Sequence, residues 1–133
     1  MKTKQDLLSI SFLLAITLLS CSKDDSYNNA IVGKWNWVLT TGGFAGVHET
    51  PASTKQIWSY EFRSNNTYTL LRNDTIAASG NFTLSSTDAN GLKTNIINME
   101  NSMIQSYIIQ RDTLILADIY VCDGFISSYS RAK

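Results

Sequence analysis

Residues Ile31-Val32-Gly33-Lys34-Trp35-Asn36-Trp37-Val38-Leu39 decide how the 133-residue chain reads. Gly33, Trp35, Trp37 and Leu39 share one parity, so in a strand all four fall on one face. An apolar face this heavy needs a sheet to bury it. The rest of the chain offers strands and no helix: no later stretch keeps a 3.6-residue period for more than about two turns.

Working outward, Ala30–Thr40 is the first strand. Ile57–Arg63 alternates, with Trp58, Tyr60 and Phe62 on one side and Ser59, Glu61 and Arg63 on the other. Thr67–Arg72 follows the turn Ser64-Asn65-Asn66, where Asn tolerates positive φ. Thr75–Leu84 places Ile76, Ala78, Gly80, Phe82 and Leu84 on one face, with Gly80 as a bend. Ser85–Gly91 is polar and ends in Asn90-Gly91, a hairpin signal. Leu92–Met99, Met103–Gln110, Thr113–Val121 and Phe125–Arg131 complete eight strands joined by short turns. Eight sequential strands fit an all-β, antiparallel up-and-down barrel, because closure removes exposed edges. A two-sheet sandwich is the competing arrangement. Thr41–Lys55 holds three Gly and the sole Pro, Pro51, and is long for a hairpin loop. Loops of that length carry function or move.

The N-terminus has a different character. Lys2 and Lys4 precede an apolar run, Leu7–Leu19, whose thirteen residues would span about 20 Å as a helix. That falls short of the roughly 30 Å of a bilayer's hydrocarbon core, so the segment reads as a cleaved secretory signal rather than a span. Leu18-Leu19-Ser20-Cys21 resembles a bacterial lipobox, in which the Cys is acylated and becomes the new N-terminus. An ordinary signal peptide ending near a Cys is the plainer alternative. The resulting division is a signal peptide at 1–20, an acylated Cys21 and acidic tether at 21–30, and a barrel domain at 31–133. More than one acyl chain on Cys21 would make a stable membrane anchor.

The stretch Cys21-Ser22-Lys23-Asp24-Asp25-Ser26 resembles the lipoprotein export signal of Bacteroidetes, which implies display on the outer face of the outer membrane. A simply polar linker is the alternative. Further pieces are similar to the lipocalin-like lipoproteins of that phylum. They are Gly33-Lys34-Trp35, Tyr60-Glu61-Phe62-Arg63-Ser64-Asn65-Asn66-Thr67-Tyr68, Ser79-Gly80-Asn81-Phe82-Thr83, Asp112-Thr113-Leu114-Ile115-Leu116 and Tyr129-Ser130-Arg131. The resemblance spans about Ile31–Arg131 and implies a barrel shut at one end by Trp35, with Arg131 of the last strand lying across the indole. Gly33, Trp35 and Arg131 are then closure residues, and an Arg over an indole face is favourable by roughly 0.5–2 kcal/mol. The same background makes Asp74-Thr75-Ile76 and Asp112-Thr113-Leu114 similar to Bacteroidetes O-glycosylation sites, at Thr75 and Thr113.

Charge and motifs exclude several classes. The 11 basic and 11 acidic side chains balance, and no basic cluster exists for nucleic acid. The single His, His48, has no ligating neighbour, so neither a metal nor another cofactor is expected. No Gly-x-Ser-x-Gly elbow or phosphate loop occurs, and Cys122 has no cationic neighbour in sequence to activate it. With Cys21 acylated, Cys122 also lacks a disulfide partner. The chain reads as no enzyme.

What remains is binding. The inward set by parity, Trp37, Trp58, Tyr60, Phe62, Tyr68, Phe82 and Tyr107, loads the interior heavily, leaving a small pocket open at one mouth or none. The expected function is a surface-anchored outer-membrane lipoprotein that takes a small, largely apolar molecule. Trp58, Tyr60, Tyr68, Tyr107 and Tyr120 are the candidate ligand-binding residues. The alternative is a protein-interaction module, an inhibitor or accessory subunit, acting through the 41–55 loop with a filled barrel. A cavity above about 300 Å³ separates the two in favour of a small ligand. Asp118 has two readings: it shares the parity of Leu114 and Leu116 and could anchor a ligand, or it turns to water while the other face packs inward.

Overall fold

The computed structural model describes residues 30–89 and 91–133. The expected signal peptide, Cys21 and the expected tether up to residue 29 lie outside the described residues, as does Asn90. The elements in chain order are β1 (Gly33–Gly42), β2 (Val47–Glu49), α1 (Pro51–Thr54), β3 (Trp58–Phe62), β4 (Thr67–Arg72), β5 (Thr75–Ala89), β6 (Leu92–Met99), β7 (Gln105–Gln110), β8 (Thr113–Asp118) and β9 (Phe125–Arg131). From β3 to β9 each strand pairs antiparallel with the next, and β1 pairs with both β3 and β9. The eight long strands therefore form a closed up-and-down barrel. The short β2 adds to the far end of β1, through Thr40↔Glu49 to Gly42↔Val47.

One end is shut by Trp35, which is fully buried. Its indole Nε1 donates to Ile31 O at 2.7 Å, and the Arg131 guanidinium lies 4.1 Å from the ring centroid. Above it, Tyr60 stacks on Phe62 with centroids 5.3 Å apart, Phe62 meets Phe82 edge-on at 5.2 Å, and Tyr129 meets Tyr60 edge-on at 5.5 Å. Ile97, Met99, Leu114 and Leu116 fill the spaces between these rings. The interior is thus packed from the closed end to its middle, as the inward aromatic set requires.

Two bulges change the parity read from sequence. In β1 the register against β9 slips between Trp37 and Leu39, so Val38 is an extra residue. An extra residue reverses which side chains face in. Thr40 takes the inward place expected of Leu39. In β5 the register slips at Ala77, which puts Ile76 opposite Leu71 and leaves it 66% exposed. The expectation that Ile76 shares the inner face of Ala78 is corrected by that bulge.

Other boundaries also move. The polar run Ser85–Ala89 continues β5 in register with β6. Its side chains from Ser85 to Asp88 are exposed on both faces, so strand pairing there needs no apolar pattern. β7 begins at Gln105 rather than Met103, and β8 stops at Asp118 rather than Val121. Tyr120 adopts φ +66° just beyond β8, a left-handed conformation that ends the extended run. The 41–55 segment is folded: besides β2 it holds α1, with a capping box between Thr50 and Ser53 and Pro51 at the helix start. Thr75 and Thr113 are both exposed at strand starts, and Cys122 is free and exposed.

Candidate functional site

Opposite the Trp35 end, the barrel holds a cavity of about 410 Å³. The walls are Trp37 of β1, Trp58 and Tyr60 of β3, Leu70 of β4 and Tyr129 of β9. Its rim is polar and comes largely from the long connection: Glu49 of β2, Thr54 of α1 and Gln56, with Thr40 of β1. The cavity exists because the aromatic stack ends at Tyr60 and Tyr129, while β2 and α1 raise the wall beyond them.

The connection is held to the barrel by its own hydrogen bonds. Ile57 N–H donates to Asn73 Oδ1 at 2.8 Å, and Asn73 N–H donates to Ile57 O at 2.7 Å. Asn73 and Asp74 both take positive φ in the β4–β5 turn, which aims Asn73 at the neighbouring strand. Gln56 and Trp58 are thereby fixed at the mouth. On the opposite wall, Trp37 Nε1 donates to Thr40 Oγ1 at 2.9 Å, and the Thr40 and Ser127 hydroxyls are 2.7 Å apart. The bulge at Val38 makes this chain, because only a shifted parity brings Thr40 inward. Sequence carried no decisive mark of it: Val38 and Leu39 are both apolar, and either could face inward.

Two phenols in the wall are held in their neutral form. Burial, followed by Tyr68 and the Asp118 charge, pushes Tyr60 up to about 12. Burial, followed by the Tyr60 phenol, raises Tyr129 as well. Both remain hydroxyls at any physiological pH, able to donate a hydrogen bond.

Of the residues expected to bind ligand, Trp58 and Tyr60 line the cavity. Tyr68 and Tyr107 do not. Tyr68 is buried in the core and spends its hydroxyl on Glu100 O at 2.6 Å, while Tyr107 is buried opposite Leu116. Their parity is inward, but Tyr68 pairs with Phe62, closer to the closed end than Tyr60, and Tyr107 stands on β7, which supplies no residue to the cavity lining. Tyr120 is 83% exposed, because the chain has left β8 before reaching it. Trp37, Tyr129, Leu70 and the rim residues enter instead. Membership could not be read from parity, since depth depends on the tilt and stagger of the strands.

Asp118 resolves to the inward parity, with Leu114 and Leu116 buried on the same face. It is committed to structure: Oδ1 accepts from Gln105 Nε2 at 2.8 Å and Oδ2 accepts from Phe125 N–H at 3.0 Å. Among the described residues no group of three His, Cys, Asp or Glu side chains is placed to hold a metal ion. His48 is exposed on β2.

No protein-family model and no curated protein matches the chain. Among solved structures it is similar to Echinococcus granulosus fatty-acid-binding protein 1, at 12% identity over 79% of this chain and 99% of that one, with a TM-score of 0.45. A likeness that distant carries no argument. The barrel rests on its own closed ring of strand pairings.

Proposed function

We propose that the protein is a non-enzymatic binding protein that holds a small, largely apolar molecule in the open end of its barrel, displayed at the cell surface by a lipid anchor on Cys21. The observation that carries the binding reading is the 410 Å³ cavity walled by Trp37, Trp58, Tyr60, Leu70 and Tyr129. Its size falls in the range of small-molecule sites, and its apolar walls with a few polar groups at the rim match their make-up. The anchor reading is supported by Leu18-Leu19-Ser20-Cys21 and by Lys23-Asp24-Asp25 behind it. The absence of nucleophile, base and metal motifs from the sequence supports a binding rather than a catalytic role.

Native mass spectrometry on protein freed of its anchor, purified gently from its own host, tests the binding reading. A co-purified mass is expected in the natural protein and lost in Leu70→Trp, whose added indole would fill the cavity while leaving the barrel folded. An identical mass spectrum for both proteins, with no adduct in either, would count against it. A second reading, a protein-interaction module using the 41–55 segment, draws on Phe44, which stands 96% exposed at the β1–β2 turn. Retention of a protein partner that is lost in Phe44→Ser would favour it.

A further inference from the structure

The charge at the mouth narrows the class of molecule. This step rests on the cavity being a binding site. Among the described residues that line it, Glu49 is the sole charged side chain, and Lys, Arg and His are absent from the lining. Glu49 lies on β2 opposite Thr40, and its carboxylate has no ion-pair partner among the described residues. Below it stand four aromatic rings, Trp37, Trp58, Tyr60 and Tyr129. A π-face carries negative electrostatic potential, so rings grouped beneath a carboxylate form a pocket attractive to a cation with an apolar frame.

We infer that the ligand of this cavity is an organic cation, an amine or quaternary ammonium group borne on a small apolar body, held by the aromatic walls with Glu49 as its counter-charge.

Two features of the surroundings bear on this. Asp118 adds a second carboxylate close enough to act on Tyr60 and Tyr129, although burial and the neighbouring phenols are the larger influences on those groups. Its oxygens are occupied, so it contributes field rather than a contact. Arg72 lies 5.5 Å from the Trp58 ring centroid and lines a separate depression with Asn73, Thr75 and Ile76, so it is not part of the cavity lining. Trp58 is thus a ring that already draws a guanidinium. A ligand carboxylate, by contrast, would meet Glu49 with no cation in the lining to offset it, and like charges in a partly desolvated site repel.

Fluorescence of Trp37 and Trp58 reports occupancy directly. Three probes on one frame separate the possibilities: phenethyltrimethylammonium, phenethyl alcohol and hydrocinnamate. The cation is expected to bind about tenfold more tightly than the alcohol, with the carboxylate weakest. Glu49→Gln, an exposed change that leaves the core untouched, should reduce the margin between cation and alcohol several-fold. The alcohol's affinity should change far less than the cation's, because it carries no charge for Glu49 to meet. Equal binding of cation and alcohol, or a margin indifferent to Glu49→Gln, overturns the charge assignment while the cavity reading stands. No response to any probe, combined with an adduct-free native mass spectrum, overturns both.

Discussion

The Arg131 guanidinium lies 4.1 Å from the centroid of the Trp35 ring and also donates to two backbone carbonyls, Val32 O at 3.0 Å and Ala30 O at 2.8 Å. Beyond the backbone pairing of β1 with β9, that side chain ties the last strand to the two carbonyls that precede β1 and to Trp35 within it. Gly33 makes room for it. With φ at +132°, Gly33 sits where L-residues rarely do, and a Cβ there would come 3.0 Å from Arg131 Nη1. The Gly-x-Trp spacing therefore has a mechanical meaning: the Gly admits the Arg that covers the Trp. Asp112 is 4.0 Å from Arg131 and largely exposed, so it adds little.

Arg131→Ala is expected to lower unfolding free energy by about 2–4 kcal/mol, from the lost ring contact and two charge-assisted hydrogen bonds. Arg131→Lys should recover less than half, since an ammonium cannot both cover the ring and reach two carbonyls. Gly33→Ala should also destabilise, and the double variant should lose less than the two single losses combined because both act on one contact. Urea unfolding of the natural protein and these four variants measures this; strict additivity would show that the two residues are independent. Ligand binding should survive Arg131→Ala wherever the protein stays folded, because the cavity is at the other end.

Thr40→Val tests the second consequence of the Val38 bulge. It removes the acceptor of Trp37 Nε1 and the partner of the Ser127 hydroxyl, at an expected loss of about 1–2 kcal/mol. A shift in Trp fluorescence should accompany the loss, as the Trp37 N–H turns to the cavity. Stability equal to that of the natural protein would mean that the hydroxyl chain contributes nothing.

The buried phenols set an alkaline limit. Tyr60 is raised from 10.0 to about 12, so between those values the unfolded chain releases a proton that the folded one keeps. Its contribution is complete below pH 10 and is lost as pH rises towards 12, amounting to about 2–3 kcal/mol. Tyr129 is raised in the same direction and steepens the decline. Tyr60→Phe keeps the ring contacts and should flatten part of the fall. Unfolding free energies measured across this range decide it, and identical slopes for the two proteins would show that Tyr60 is not the titrating group.

Much of the fold was legible because it follows from a period of two. The faces of β3 and β4 and the turn at Asn73-Asp74 rest on alternation and turn chemistry, which are local, and the pairing of β1 with β9 is expected because closure removes exposed edges. Parity failed where a bulge intervened, at Val38 and Ala77, because an extra residue is stabilised by the partner strand and leaves no trace in its own sequence. The candidate site was half legible for the same reason. Trp58 and Tyr60 were correctly placed facing inward, but so were Tyr68 and Tyr107, which are buried in the core and do not line the cavity.

The sequence by itself determined that the chain forms successive strands and which face β3 and β4 present to the core, while the closure by Gly33, Trp35 and Arg131 was implied by a family resemblance. The strands and those faces depend on neighbours along the chain and on the apolar pattern. Only the tertiary structure decided that the aromatic stack stops at Tyr60 and Tyr129, that Thr40 replaces Leu39 inside, and that Glu49 stands over the opening. Depth within a barrel is set by the stagger between strands distant in sequence, and whether a space is left empty depends on how all of their side chains meet.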